Sequence, residues 1–188
     1  MLLDGHDVRT LPLQALRQQV GMVFQENFLF SNTIAANIAF GHPDASQERI
    51  ERAAKIAGAH DFILAFPDGY ETIVGERGIT LSGGQRQRTA LGRALLVDAP
   101  VLVLDDALAS VDNNTAAAIL DSIRAQDGRT IVMISHQLSA AAACDRILVL
   151  EQGRLVQQGH HNELITVKGP YRSLWEREQA AERLDAVA

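Results

Sequence analysis

The sequence predicts an α/β fold built on a parallel sheet. Residues 101–104 and 131–134 are apolar at successive positions, as is the strand 146–150 after its leading Arg146, and helix-forming segments separate them. Strands that are apolar on both faces belong in a parallel sheet covered by helices on both sides. Crossovers in such a sheet are right-handed, and ligands bind beyond the carboxyl ends of its strands.

Each element follows from its local pattern. Met1-Leu2-Leu3 is apolar and runs at once into a turn at Asp4-Gly5-His6-Asp7. Residues 11–19 have helical spacing, and 21–24 read as a short buried strand ending at Gln25. A helix is expected around 33–38, broken by Gly41-His42-Pro43-Asp44. Residues 47–57 form an amphipathic helix with Ile50, Ala53, Ala54 and Ala57 on one face. A shorter helix near 61–65 meets the breaker Phe66-Pro67-Asp68-Gly69, and 85–96 is an unbroken helix closed by Asp98-Ala99-Pro100. The strand at 101–104 is capped by Asp105-Asp106. A helix at 113–125 and a turn at Asp127-Gly128 then lead to a strand at 130–134 that ends in Ser135-His136. A short helix at 138–144 precedes the strand at 146–150, which turns back at Gln152-Gly153 as a hairpin with 154–158 at the sheet edge. An amphipathic helix over 171–184 carries the sole tryptophan, Trp175.

Length and composition exclude several classes. A chain of 188 residues fits one domain of ~100–200 residues with a sizeable core. The formal charge of −6 argues against a general nucleic-acid binder. Cys144 stands alone, which excludes a disulfide framework and a cysteine-based zinc site; it reads as a small core thiol. No run approaches the roughly 18 apolar residues of a membrane span, and the N-terminus has no signal-peptide zones. A chain soluble by itself in a reducing compartment is expected. Only Lys55 and Lys168 are lysines, and neither follows a glycine-rich loop. The GxxxxGK[ST] phosphate loop therefore cannot be written within these residues.

The strand ends hold the candidate chemistry. Asp105 and Asp106 close one strand, His136 follows the next, and Gln25 ends a third. Carboxylates beside an imidazole at the rim of a parallel sheet suit a divalent metal with a phosphate ligand. Each alone also has a plainer reading: an Asp that caps a helix, a structural His, a surface Gln. Ser82-Gly83-Gly84 opens a helix, whose N-terminal N–H groups favour anions. The two glycines let a phosphate approach and Ser82 adds a hydroxyl, so the loop reads as half of a phosphate clamp. A merely capped helix would need the serine but not both glycines.

Leu81-Ser82-Gly83-Gly84-Gln85, with Asp105 following Gln85 by 20 positions, resembles the signature motif and Walker B of ABC-transporter ATPases. Gln25 stands in the Q-loop place, Ala109-Ser110-Val111-Asp112 in the D-loop place, and His136 in that of the switch histidine. The resemblance spans essentially the whole chain. It implies a P-loop NTPase core with a parallel sheet and an α-helical signature subdomain. Val74-Gly75-Glu76-Arg77-Gly78 and Phe28-Leu29-Phe30-Ser31-Asn32-Thr33-Ile34 look like the segments by which exporters contact their transmembrane domains. The run from Leu104 to Asp112 is similar to the MdlA half of bacterial heterodimeric multidrug exporters of the MdlA/MdlB type.

The resemblance implies roles. Asp105, with Gln25, would hold Mg²⁺, and Asp106 occupies the place of the catalytic glutamate. His136 would contact the γ-phosphate of ATP. Leu81, Ser82, Gly83, Gly84 and Gln85 would grip ATP bound on a second ABC ATPase domain, and Ser110 and Asp112 would act at that interface. Phe28, Glu76 and Arg77 would couple to a transmembrane domain outside this chain, at the cytoplasmic face of a bacterial inner membrane. Four segments are expected: 1–25, a core remnant ending at the Q-loop; 26–97, the signature subdomain; 98–160, the core with Walker B, D-loop and switch histidine; and 161–188, C-terminal helices. Gln137 stands where exporters usually carry a basic residue. A non-transport ABC ATPase and a silent module lending its signature loop are the competing readings; the first usually carries an inserted coiled coil or a basic surface. The pattern also implies a chain that begins after the Walker A motif and its first strand, a unit of roughly 30 residues. Expected outcome: the purified chain binds ATP weakly and shows no measurable ATPase, and robust magnesium-dependent turnover by it would overturn the expectation.

Overall fold

The computed structural model describes residues 1–126 and 128–185, with the side chains of Arg77 and 182–185 outside that description. Asp127, expected in a turn with Gly128, lies outside the described residues. Contacts divide the chain into two compact units, Met1–Ile134 and Ser135–Ala188.

The first unit opens with a small antiparallel hairpin, β1 (Leu2–Leu3) and β2 (His6–Asp7). Its turn puts Asp4 and Gly5 at φ +48° and +82°, the paired left-handed geometry that a two-residue hairpin demands. Helix α1 (Leu13–Gln19) starts after Pro12 and leads directly into β3 (Val20–Val23). Helix α2 (Ile34–Ile38) is capped by Thr33, whose hydroxyl accepts the Ala36 N–H at 3.1 Å. Helix α3 (Gln47–Ile56) buries Ile50, Ala53, Ala54 and the following Ala57, the face its spacing predicts. Helix α4 (His60–Leu64) follows.

Helix α5 (Gly83–Leu96) is the strut of this unit. Ala90, Leu91, Ala94, Leu95 and Leu96 are buried on it, and it packs against α2, α3 and β3. It begins two residues before the predicted start, so Gly83 and Gly84 are its first turn. After it come β4 (Val101–Asp105), α6 (Asn113–Arg124) and β5 (Thr130–Ile134).

The sheet has the order β3-β4-β5, all parallel, with Val23 beside Leu104 and Asp105 beside Ile134. Its parallel character matches the sequence pattern; its covering does not. Gly21, Val23, Leu102 and Leu104 are buried on one face. On the other, Met22, Val132 and Ile134 are 42%, 46% and 49% exposed. Alternating side chains point to opposite faces, and among the described residues of this unit no helix buries the second face.

The second unit holds α7 (Leu138–Ala142), β6 (Ile147–Glu151), β7 (Arg154–Gly159), α8 (His161–Leu164) and α9 (Pro170–Asp185). The predicted hairpin is present, but β6 pairs only with β7, in its own antiparallel sheet. The expectation that 146–150 joins the parallel sheet is thus corrected. An apolar four-residue run reports burial propensity, not its pairing partner. Ile147, Leu164 and Tyr171 form the core of this unit. The Tyr171 hydroxyl lies 2.8 Å from Nδ1 of His161, and the Trp175 ring meets that imidazole edge-on. Cys144 is half-buried, its Sγ 3.7 Å from the Ala140 carbonyl oxygen.

Tyr70 links the fold of the first unit to pH. Its hydroxyl lies 2.9 Å from Nδ1 of His60, and burial, together with Glu51 and Asp61 nearby, pushes its pKa up to about 12. The folded chain keeps this proton where the unfolded chain has lost it, so stability falls as pH rises from about 10 to about 12. Urea melts across that range should show the fall, and Tyr70→Phe should flatten it.

Candidate functional site

The carboxyl edge of the parallel sheet gathers part of the predicted site. Gln25 lies two residues past the end of β3, Asp105 ends β4, and Asp106 follows it. The Asp106 N–H donates to the Ile134 carbonyl at 2.9 Å, which carries the ladder one residue past the end of β4. Asp106 sits at φ +48°, a left-handed backbone that Asp tolerates better than most residues. Asp105 and Asp106 are half-buried and Gln25 is exposed. His136 is exposed and belongs to the second unit, two residues past Ile134.

Hard oxygen donors suit Mg²⁺, which takes one or two carboxylates and fills its octahedron with phosphate oxygens and water. Asp105, Asp106 and Gln25 at one edge fit that donor set. Among the described residues no group of three or more His, Cys, Asp or Glu side chains is placed to hold a metal ion.

The signature residues form the start of α5. Leu81 is buried beneath the loop. Ser82 caps the helix: its hydroxyl oxygen accepts the Gln85 N–H at 3.3 Å, and Oε1 of Gln85 accepts the Ser82 N–H at 2.9 Å. This reciprocal capping box satisfies two of the helix's unpaired N–H groups and leaves the exposed Ser82 hydroxyl proton free to donate. Arg86 reaches back to the Leu81 carbonyl at 2.8 Å. Arg88 donates to the Gly58 carbonyl at 2.8 Å and lies over the Phe62 ring at 4.8 Å.

The glycines have a structural reason that the sequence did not reveal. A Cβ on Gly84 would stand 2.7 Å from the Ser110 carbonyl oxygen, whereas one on Gly83 would meet Ser110 at an ordinary 3.4 Å. Ser110 therefore packs on the first turn of α5, and its N–H donates to Oε1 of buried Gln87 at 2.8 Å. Ser110 itself is exposed. Asp112 has a local role as the cap of α6: its carboxylate accepts the Thr115 N–H at 3.0 Å. That hydrogen bond, with Arg88 adding a smaller attraction, holds the Asp112 carboxyl below the usual carboxylate range.

The two segments read as transmembrane contacts meet in space. The Ile34 N–H donates to the Thr72 carbonyl at 3.0 Å and the Val74 N–H to the Asn32 carbonyl at 2.9 Å, around a bridge from Thr33 to Ile73. Phe28 is exposed and meets Phe30 edge-on at 5.0 Å, and Phe30 stacks on Phe40 at 4.3 Å. Glu76 is exposed on a short 3₁₀ turn, and the Arg77 side chain lies outside the described residues.

Arg93 and Asn37, which sequence reasoning missed, support this patch. Arg93 donates to the Asn37 carbonyl at 2.8 Å, the Phe28 carbonyl at 2.9 Å and Oδ1 of Asn37 at 3.0 Å. Its guanidinium also faces the rings of Phe30 and Phe40. Burial lowers its pKa, and among the described residues no carboxylate lies within ion-pair distance. Asn37, 1% exposed, holds both backbone groups of Phe30, at 2.8 and 2.9 Å. A polar residue on the apolar face of a helix was the signal that could have found it.

Known proteins resemble this chain in sequence and in fold. A family model described as ABC transporter matches residues 1–109. The chain is 48% identical over 175 residues to an ATP-dependent lipid A-core flippase of Chromohalobacter salexigens, covering 93% of this chain and 30% of that protein. It is 44% identical over 198 residues to the ABC multidrug transporter atrD of Emericella nidulans, covering 100% of this chain and 15% of that one. Among solved structures, a bacterial Atm1-family ABC exporter with ATP bound superposes with a TM-score of 0.91 at 44% identity, covering 95% of this chain and 32% of that one. The chain thus spans a third or less of the length of these relatives.

The close approach of Ser110 sets a test of the signature glycines. Gly→Ala inside a helix normally stabilises by roughly 0.5–1 kcal/mol. Gly83→Ala should follow that rule, while Gly84→Ala should destabilise by about 1–3 kcal/mol through overpacking. Thermal melts of the two variants should move in opposite directions.

Proposed function

The chain belongs to the ABC transporter family and has its P-loop NTPase fold, and from that premise we propose that it couples ATP binding and hydrolysis to export of a drug-like or lipophilic substrate. The observation that carries the reading is the sheet edge on which Asp105, Asp106 and Gln25 leave adjacent parallel strands, with the capped signature turn packed on the loop that follows. Relatives named as a lipid A-core flippase and a multidrug transporter support an apolar cargo.

In this reading Asp105, helped by Gln25, would hold Mg²⁺, which would supply charge neutralisation to the phosphate oxygens. Asp106 accepts a hydrogen bond from the attacking water and orients it, and His136 donates to the γ-phosphate. These are positioning and charge-stabilising tasks, the ones phosphoryl transfer needs. Ser82 and the N–H groups of Gly83 and Gly84 grip ATP held by a second ABC ATPase domain, that of a different half-transporter, and Ser110 and Asp112 line the shared interface. Neither Lys55 nor Lys168 follows a glycine-rich loop, so neither takes the part of a phosphate-gripping lysine in this reading. Phe28, Glu76 and Arg77, from the two segments that meet at Thr33 and Ile73, receive a transmembrane domain, which sets the ATPase on the cytoplasmic face of a bacterial inner membrane. Among the described residues no helix is long and apolar enough to cross a membrane. The four-segment division at 25, 97 and 160 describes these tasks.

Asp106 is one methylene shorter than the glutamate usual at its place, so its carboxylate stands farther from the water and this chain's own site is slow. In the assembled exporter, Asp106→Glu should raise magnesium-dependent ATP turnover by about tenfold, and chelating Mg²⁺ should abolish it. Unchanged turnover in a variant that melts like the wild type would mean that side-chain length does not limit the site.

A further inference from the structure

Gln87 is 7% exposed and, with Asn37 and Thr89, one of the buried polar side chains among the described residues. Thr89 bonds within its own helix, to the Gln85 carbonyl at 2.8 Å. Gln87 instead leaves its helix. Its Oε1 accepts the Ser110 N–H at 2.8 Å, 23 residues further along the chain. Ser110 lies within the loop from Asp106 to Asp112, and that loop is built of tight turns. The Ala109 N–H donates to the Asp106 carbonyl at 3.2 Å, and the Val111 N–H to the Leu108 carbonyl at 3.0 Å. The Gln87 bond holds the Ser110 N–H between these two, while the Ser110 carbonyl rests against Gly84 at a distance that excludes a side chain.

Both backbone groups of Ser110 are thus held by the first two turns of α5. The buried Gln87 acceptor is costly to leave without its partner, and packed interiors transmit displacement. We propose that Gln87 is a positioning residue that makes the first turns of α5 and the 106–112 loop move as one body. Nucleotide gripped by the signature on the second ATPase domain is thereby felt at this chain's own Asp106. The inference rests on the functional reading above for the two sites it connects, and on the Gln87–Ser110 contact for the connection.

Two variants test it in the assembled exporter. Gln87→Met keeps an unbranched, burial-compatible side chain and removes the acceptor; Gln87→Glu keeps an oxygen in the same place. Hydrogen exchange at the Ser110 amide should accelerate about tenfold in Gln87→Met and stay within about twofold of wild type in Gln87→Glu. ATP turnover by the wild type should be cooperative. Gln87→Met should bring the Hill coefficient to one and lower kcat with little change in KM, and Gln87→Glu should restore cooperativity. A merely structural loss would reduce the active fraction without altering the Hill coefficient. Unchanged exchange at Ser110 would overturn the proposed bond, and faster exchange with intact cooperativity would overturn the coupling. A wild-type exporter with no ATP turnover would overturn the functional reading and the coupling with it, while the exchange result still judges the bond.

Discussion

Helix α5 is tied to its surroundings by polar contacts that its own sequence does not display. Near its start Gln87 holds the Ser110 N–H, and nearer its end Arg93 holds the carbonyls of Phe28 and Asn37. Between them the buried row of Ala90, Leu91, Ala94 and Leu95 packs on α2, α3 and β3. Apolar packing supplies most of the attraction, but it is non-directional. The hydrogen bonds set which loop lies against which turn. The signature at one end of the strut and the aromatic patch near the other are thereby parts of one rigid element.

Arg93 shows how charge is managed inside this unit. A guanidinium has five donors and no acceptor, and here it finds three carbonyl oxygens and two aromatic faces. That arrangement engages three of its N–H groups without a carboxylate, whose own desolvation would add to the cost. Asn37 complements it by using its amide as both donor and acceptor toward Phe30. Phe28, Phe30 and Phe40 are consequently presented outward on a support that is itself polar and internally hydrogen-bonded.

Most elements were legible because each is written in a short window. The α3 face, the 101–105 and 130–134 strands, the turn at Asp4-Gly5 and the Ser82 cap all follow from spacing or from one residue's preference. Element ends shifted by one or two residues, as at Gly83, where glycines argued against a helix that capping had already started. The candidate site was legible to the extent that its residues end strands or open helices. Asp105, Asp106 and Gln25 do meet at one edge. Asp112 proved to have a local capping task as well, a reading that a lone Asp before a helix always allows.

What the sequence by itself determined was the kind of each element and the chemical identity of the groups at its ends, because backbone preference and side-chain type are local properties. Only the tertiary structure decided pairing and approach. It put β6 with β7 rather than in the parallel sheet, and left Met22, Val132 and Ile134 open on one face. It brought Thr72–Val74 against Asn32–Ile34, and made Gly84 obligatory through the carbonyl of Ser110. Each of these depends on two segments far apart in the chain, and no window of sequence contains the distance between them.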